Sequence, residues 1–553
     1  MKTENFIGIY SRSFFENWDL PALTDYVTGR TLTYGDLATS VAKLHVFFDS
    51  VGLRPGDKVA LCGRDSINWV LVYMATVTYG AVIVPVLAEF NPVDISHIVN
   101  HSEARLLFVG ASIFENIDPD SLLNVRGVLC LDDMQALHEA PGSDLMRHRR
   151  LLNRRFRRLF PRGLTAGDIR YAERDNSEVV EINYTSGTTG FSKGVMLTGG
   201  NLAGNVCFGM ETMLHFRSSR ALAFLPLAHA YGCAFDMLTP LAVGSHVTIL
   251  GKIPSPRILI KAMAEVRPNL VICVPLILEK IYKSQILPMI SKGTMRWTLA
   301  VPFLDSYIYS KIRKKLVDVF GGEFEEVIVG GAPLNHEVEE FLHKIRFPFT
   351  VGYGMTECGP LISYTPWREF VPGSSGRTLP CMESKILSDD PENVPGEICV
   401  RGTNVMKGYY KNREATDAVL DAEGWLHTGD MGYLGSPGER TVFIRGRYKT
   451  MILSSNGQNI YPEEIESKLS NMPYVNECLV IQRNGHLVAL CHPDADAVKN
   501  DRLDRSMLEE AMENNRRSLN KLVAPYEQVE KIEIVDKEFE KTPKRSIRRF
   551  LYK

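Results

Sequence analysis

Residues Thr185 to Gly190 are all Thr, Ser or Gly, and Lys193 follows them in the stretch YTSGTTGFSKGVMLT. Gly187, Gly190 and Gly194 would let the backbone approach an anion and turn its amides toward it. Thr185, Ser186, Thr188 and Thr189 add hydroxyl donors, and Lys193 adds a positive charge. The tract lies between EVVEINYTS and GVMLT, two runs that read as strands. It therefore reads as either a phosphate-holding loop or a plain turn. It is not a Walker loop, because Ser192 precedes the lysine and Gly194 follows it. Other residues with usable chemistry lie further along. Glu357 is an acid on the otherwise neutral, Gly-rich YGMTECG. Asp430 follows a glycine in GWLHTGD, where a carboxylate can accept two vicinal hydroxyls. Arg447 sits in RGRYK, and His229 lies among apolar residues in LPLAHAYG. Read alone, each of these is also an ordinary turn, surface or core residue.

Positioning such groups takes a large frame. A chain of 553 residues exceeds one ordinary core, so at least two domains are expected. With 45% apolar and 23% charged residues, the composition fits a soluble globular protein. The net charge of −2 argues against a general nucleic-acid surface. Ten cysteines without a CxxC pair argue against a zinc or disulfide framework and for a reducing, cytoplasmic setting. The opening MKTENFIGIYSRSFF lacks the apolar core of a secretory signal. Ser66 to Ala88 carries no charge, yet Gly80 breaks it. It is expected to form a buried helix, INWVLVYMATVTY, followed by a buried strand, AVIVPVL.

Short β-branched runs (KVALCG, AVIVPV, RLLFVG, HVTIL, NLVICV, EEVIVGG) alternate with amphipathic segments over roughly the first 440 residues. That pattern predicts α/β layers built on mainly parallel sheet. After about residue 380 the closely spaced ESKIL, GEICVRG and TVFIRGR predict antiparallel hairpins. From about residue 447 a compact α+β unit is expected.

Residues 144–163, DLMRHRRLLNRRFRRLFPRG, form a local exception. Leu145, Leu152, Phe156 and Leu159 fall at helical spacing, and Arg147, Arg150, Arg154, Arg157 and Arg158 crowd the remaining faces. The segment reads as a solvated surface helix or as an interfacial helix docking on anionic lipid at the inner face of a membrane.

Taken in order, the motifs resemble the AMP-forming adenylating superfamily of acyl-CoA synthetases, peptide-synthetase adenylation domains and luciferases. LTYGDL, YTSGTTGFSKG, LPLAHAYG, VGGAPL, VGYGMTECGP, GEICVRGTNVMKGYYKN, GWLHTGD, IRGRYKTMILSSNGQNIYPEEIE and KTPKRSIRRF carry the resemblance across nearly the whole chain. VPLILEKIY (Val274 to Tyr282) and SSNGQNIYP resemble the long-chain fatty acid–CoA ligases. The resemblance implies two α/β sheet subdomains and a small β-barrel-like subdomain in residues 1–447, followed by a mobile α+β domain in 448–553. It implies ATP, Mg²⁺ and CoA as reactants or cofactors. Thr185, Ser186, Gly187, Thr188, Thr189, Gly190 and Lys193 would hold the phosphates. Gly331, Ala332 and Pro333 would form a purine slot, with Tyr353 on the adenine face and Gly354 and Met355 beside it. Asp430 and Arg447 would contact the ribose or phosphate. Glu357, with Thr188, would bind the metal, and Thr356 would bind phosphate. His229 would border the acyl pocket, and Lys449 would be the hinge.

Two positions depart from the family pattern. Ser192 replaces a usual Pro or aliphatic residue. Ser546 falls where the family has an invariant adenylation lysine, which leaves Lys544, two residues earlier on the same face of an extended segment, as the catalytic candidate. The implied activity is conversion of a fatty carboxylate to acyl-AMP and then acyl-CoA. The alternatives are transfer to an acyl carrier protein, another carboxylic acid, and a nucleotide-binding homologue impaired in turnover.

Overall fold

The computed structural model describes residues 3–185, 192–287, 304–435, 440–453, 459–542 and 547–552. Two large sheets dominate. In one, the strands Val179–Thr185, Val82–Val86, Lys58–Cys62, Ala104–Val109 and Gly127–Cys130 run parallel side by side. Its edges are antiparallel: Lys193–Thr198 and then Gly408–Tyr409 on one side, Ala136–Glu139 on the other. The second sheet orders Phe349–Val351, Glu326–Val329, Leu270–Cys273, Arg220–Ala223, His246–Ile249 and Pro21–Asp25 in parallel, with Thr31–Thr33 antiparallel at the edge. Lys58–Cys62, Val82–Val86 and Leu270–Cys273 are buried almost throughout, as expected for parallel strands covered on both faces.

The uncharged segment resolves as expected. Ser66 caps the helix Ile67–Tyr79 by accepting from the Trp69 amide. Gly80 ends it at φ 86°, a left-handed conformation that glycine adopts without Cβ strain. Strand Val82–Val86 follows, buried throughout. Among the described residues no helix is long and apolar enough to cross a membrane.

The predicted hairpins form a four-stranded antiparallel sheet in the order Met382–Leu387, Gly396–Gly402, Leu426–Leu434, Val442–Arg447. An Arg377–Thr441 bridge joins it to a three-stranded sheet of Tyr353–Gly354, Leu361–Tyr364 and Arg377–Thr378. The C-terminal unit packs helices Pro462–Leu469 and Arg505–Leu519 on strands Val475–Arg483, His486–Pro493 and Val529–Ile534. Its buried cluster, centred on Ile465, Leu469, Ala489, Leu519 and Val529, is separate from the main core.

The arginine-rich segment is a helix, Leu145–Leu159, but its apolar stripe does not face outward. Leu145, Leu152 and Phe156 are buried, and the helix packs on Tyr34–Ser50, with the Lys43 ammonium 5.5 Å from the Phe156 ring centroid. Leu159 alone of the stripe is exposed, at 61%. Interfacial insertion of that stripe is therefore corrected: the residues it needs are spent on the core. The exposed face is arginine.

Candidate active site

The carboxyl ends of the parallel strands in both large sheets converge, the usual place for a crevice in an α/β protein. The loop after Arg220–Ala223 is held from below by the other sheet. Asp65, just beyond Lys58–Cys62, accepts from the Leu227 amide at 3.0 Å, and Asn183, on Val179–Thr185, donates to the Ala228 carbonyl at 3.2 Å. Asn183 also donates to buried Glu181, which accepts from the Tyr73 hydroxyl. Burial pushes the Asp65 carboxyl up to about 7, against the lowering effect of the Leu227 amide and with help from Glu89. His229 stands at the end of this loop, half-buried, and its amide donates to Pro226.

The Thr/Ser/Gly tract connects two paired antiparallel strands, and Thr185 lies opposite Lys193 in register. Ser186, Gly187, Thr188, Thr189 and Gly190 lie outside the described residues. A Cβ on Gly194 would come within 2.9 Å of Ile182 and 3.0 Å of Tyr184, so close strand packing requires glycine there. The Lys193 ammonium sits 4.8 Å from the Tyr409 ring centroid, a cation–π contact. The Tyr409 hydroxyl donates to Glu357 Oε1 at 2.9 Å. One tyrosine thus links the tract's lysine to the candidate metal carboxylate. Burial, followed by the charge of Glu357, pushes the Tyr409 hydroxyl well above its ordinary range, so it stays protonated and donates. In the sequence GYY stands inside a longer motif and carries no role of its own. Only the pairing of Gly408–Tyr409 with Val195 and Met196 reveals one.

Glu357 lies in the single turn Thr356–Cys358 after Tyr353–Gly354. The turn is clamped at both ends: the Met355 amide donates to Pro360, and the Met406 amide donates to the Glu357 carbonyl. A side chain at Gly354 would collide with the Pro360 carbonyl. Thr356 and Glu357 are half-buried. Glu357 Oε1 is held by Tyr409, and the carboxylate lies near a cation and a predicted phosphate tract. One carboxylate completed by phosphate oxygens and water is what Mg²⁺ takes, so the donor set fits that ion.

A second group forms around Asp430. Tyr353 donates to its Oδ2 at 2.7 Å, and Arg447, directly opposite in the ladder, places Nε 3.3 Å from its Oδ1. Burial raises the Asp430 carboxyl, while Arg447 and Tyr353 oppose the rise. A carboxylate has about four acceptor sites, so both oxygens retain capacity for ribose hydroxyls. Glu397 supports the approach by accepting from the Gly429 amide at 3.0 Å. The same glutamate meets His427 at 2.8 Å, with Cys399 3.6 Å from the same imidazole nitrogen, a proximity that no spacing in the chain reveals.

Gly331, Ala332 and Pro333 form an exposed turn beyond Glu326–Val329, with Gly331 at φ 87°. The preceding Gly330 packs on the Tyr231 ring, whose hydroxyl donates to Ile328. Lys449 is exposed in the turn after Val442–Arg447. Lys544 and Ser546 lie outside the described residues. On either side of them, Lys541 pairs with Ile547 as an antiparallel bridge and forms a 2.5 Å ion pair with Glu477. Arg549 pairs with Glu466 and lies 3.6 Å from Glu463.

Comparison with known proteins gives the family and the fold. The AMP-binding enzyme family matches residues 13–410, and the AMP-binding enzyme C-terminal domain family matches 449–552. The long chain acyl-CoA synthetase 6, peroxisomal, of Arabidopsis thaliana is 31% identical over 507 residues, covering 85% of this chain and 69% of that protein. The 4-coumarate–CoA ligase 1 of the same plant is 30% identical over 481 residues, covering 83% of this chain and 78% of that protein. The ATP-bound MatB structure from Rhodopseudomonas palustris superposes with a TM-score of 0.75 at 23% identity, covering 99% and 98% of the two chains, which shows a common fold. With the site motifs in family order and the family match spanning most of its length, this chain belongs to the AMP-binding, adenylate-forming enzymes, among the acyl-CoA ligases.

Proposed function

We propose that the chain is an ATP-dependent fatty acid–CoA ligase. The observation that carries the adenylating part is the pair of linked groups, Lys193–Tyr409–Glu357 and Tyr353–Asp430–Arg447. The similarity to a long chain acyl-CoA synthetase supports the fatty substrate.

In the first step a carboxylate oxygen attacks the α-phosphorus of ATP. The bond from that phosphorus to the bridging oxygen breaks, and pyrophosphate leaves. Such chemistry depends on positioning and charge neutralisation. Lys193 and the adjoining tract would hold the β and γ phosphates. Asp430 and Arg447 would fix the ribose, Tyr353 and the Gly331–Pro333 turn the base, and Thr356 a phosphate oxygen. Glu357, oriented by Tyr409, and Thr188 would hold Mg²⁺, which neutralises phosphate charge when bound. Lys544 would bridge the carboxylate and the α-phosphate. Residues 448–553 would then turn about Lys449, admitting CoA past His229. The thiolate attacks the acyl carbonyl carbon, and AMP leaves with the electrons of the broken C–O bond.

A second reading, an aryl acid as substrate, is favoured by the similarity to 4-coumarate–CoA ligase. Pyrophosphate release over a panel of fatty and aryl acids, with and without CoA, tests both. Release with long-chain acids and a CoA-dependent thioester product are expected. Activity confined to aryl acids overturns the fatty substrate, and pyrophosphate release without a CoA product points to an acyl carrier protein as acceptor. No release with any acid leaves a nucleotide binder.

A further inference from the structure

A groove of 540 Å³, well outside the nucleotide site, lies where the end of helix Leu145–Leu159 meets helix Tyr34–Ser50. The volume is within the range of about 300–1,000 Å³ common for small-ligand pockets. Ala42, Val46, Leu159, Phe160, Leu164 and Ile169 supply apolar wall. Tyr171 also lines it, and its buried hydroxyl has no hydrogen-bond partner among the described residues. A buried hydroxyl without a partner is uncommon and calls for an acceptor. The two acids in the wall are already engaged: Asp49 accepts from the Tyr79 hydroxyl, and Asp168 accepts from Thr165.

The surface beside the groove is strongly cationic. Arg147, Arg150, Arg154, Arg157, Arg158 and Arg162 are all exposed, and no acid occurs from residue 145 to residue 167. The carboxylate nearest in sequence, Asp144, reaches Arg147 at 3.9 Å with both side chains mostly exposed. Such a pair is screened and takes little from the field. Apolar groove, orphan donor and arginine face together match an amphiphile with a chain, an ester oxygen and an anionic head.

We propose that this face docks on an anionic phospholipid bilayer: the arginines meet the headgroup phosphates, and one lipid acyl chain enters the groove toward Tyr171. Of the helix's own apolar stripe only Leu159 reaches the groove, Leu145, Leu152 and Phe156 being buried. Binding is therefore electrostatic at long range and specific at the groove. This inference is independent of the ligase reading, because it is tested without ATP or acid.

The test is co-sedimentation of the full chain with phosphatidylcholine vesicles, with and without phosphatidylglycerol, across a salt series. Salt-sensitive binding only to the anionic vesicles is expected. Arg154→Glu with Arg158→Glu should lower partitioning by about tenfold or more, since each basic residue near such a surface contributes measurably, and the Arg→Lys pair should keep most of it. Ala42→Trp, which fills the groove, should weaken binding several-fold while preserving its dependence on anionic lipid. Thermal melts confirm that each variant folds. Equal binding to neutral vesicles, or Glu variants that bind like wild type, would overturn the docking face. Binding to RNA or heparin with none to vesicles would overturn it in favour of a polyanion surface. Unchanged binding by Ala42→Trp would overturn the acyl-chain assignment.

Discussion

Tyr409 does two jobs with one side chain. Its ring faces Lys193 and its hydroxyl holds Glu357. Tyr409→Phe keeps the ring and removes only the hydrogen bond. A hydrogen bond to a charged group contributes about 1.5–3 kcal/mol. The expected result is roughly a tenfold or larger loss in turnover with a raised Mg²⁺ requirement and an unchanged melting temperature. A normal metal titration would sever Tyr409 from the Glu357 role. Asp65 gives a pH test. Its folded value of about 7 lies above the ordinary 3.8. Between those values the folded state keeps a proton that the unfolded chain has released, so its contribution to stability falls as pH rises through that window and stays low above it. Asp65→Asn keeps an acceptor for the Leu227 amide. It should melt a few degrees above wild type at pH 8, the gap closing toward pH 4. Parallel melting curves at every pH would show that Asp65 is not buried as described.

Among the elements, the turn at Thr356–Cys358 depends on the close pass of Gly354 against Pro360. Gly354→Ala must displace one strand of the Tyr353–Leu361 pair, and with it Glu357. Turnover should fall by at least about tenfold, a scale consistent with small misplacement of a positioned group, while global stability changes little because the sheet is short. Wild-type kinetics would show that the turn tolerates displacement. Helix Leu145–Leu159 teaches the opposite lesson. Its periodicity marked an apolar face correctly, but periodicity cannot say whether a face meets lipid or protein. Packing on Tyr34–Ser50 decided that. The strand pattern was legible because buried parallel strands need uninterrupted β-branched runs. The addition of Gly408–Tyr409 to the edge strand Lys193–Thr198 was not, because pairing between residues two hundred apart leaves no local period.

At the scale of the molecule, polar contacts are prominent where the two domains meet. Asn335 exchanges hydrogen bonds with Asn471, and Arg445 pairs with Glu464. Polar contacts of this kind break at little cost, which is what turning about the proposed hinge at Lys449 requires. Lys449→Pro, by stiffening the turn, should leave adenylate formation within a few-fold of wild type and slow thioester formation by about a hundredfold, as measured by pyrophosphate release against acyl-CoA yield. Equal loss in both would move the hinge elsewhere. Lys544→Ala should do the reverse, reducing adenylation by about a hundredfold, the scale for a group at developing charge. Unimpaired adenylation would pass that role to another residue.

By itself the sequence determined the layered α/β class and the core helix and strand around Gly80, and its motifs, through their resemblance to a family, singled out the candidate residues of the nucleotide site. The class and the core segment rest on local facts: period and breaking residues. It could not determine which residues meet. Tyr409 beneath Lys193, Asp65 and Asn183 beneath the His229 loop, and Tyr171 beside the arginine helix are all set by strand order and helix packing. Those arrangements juxtapose groups far apart in the chain, and only the folded core, by excluding water and fixing distance, turns such neighbours into interactions.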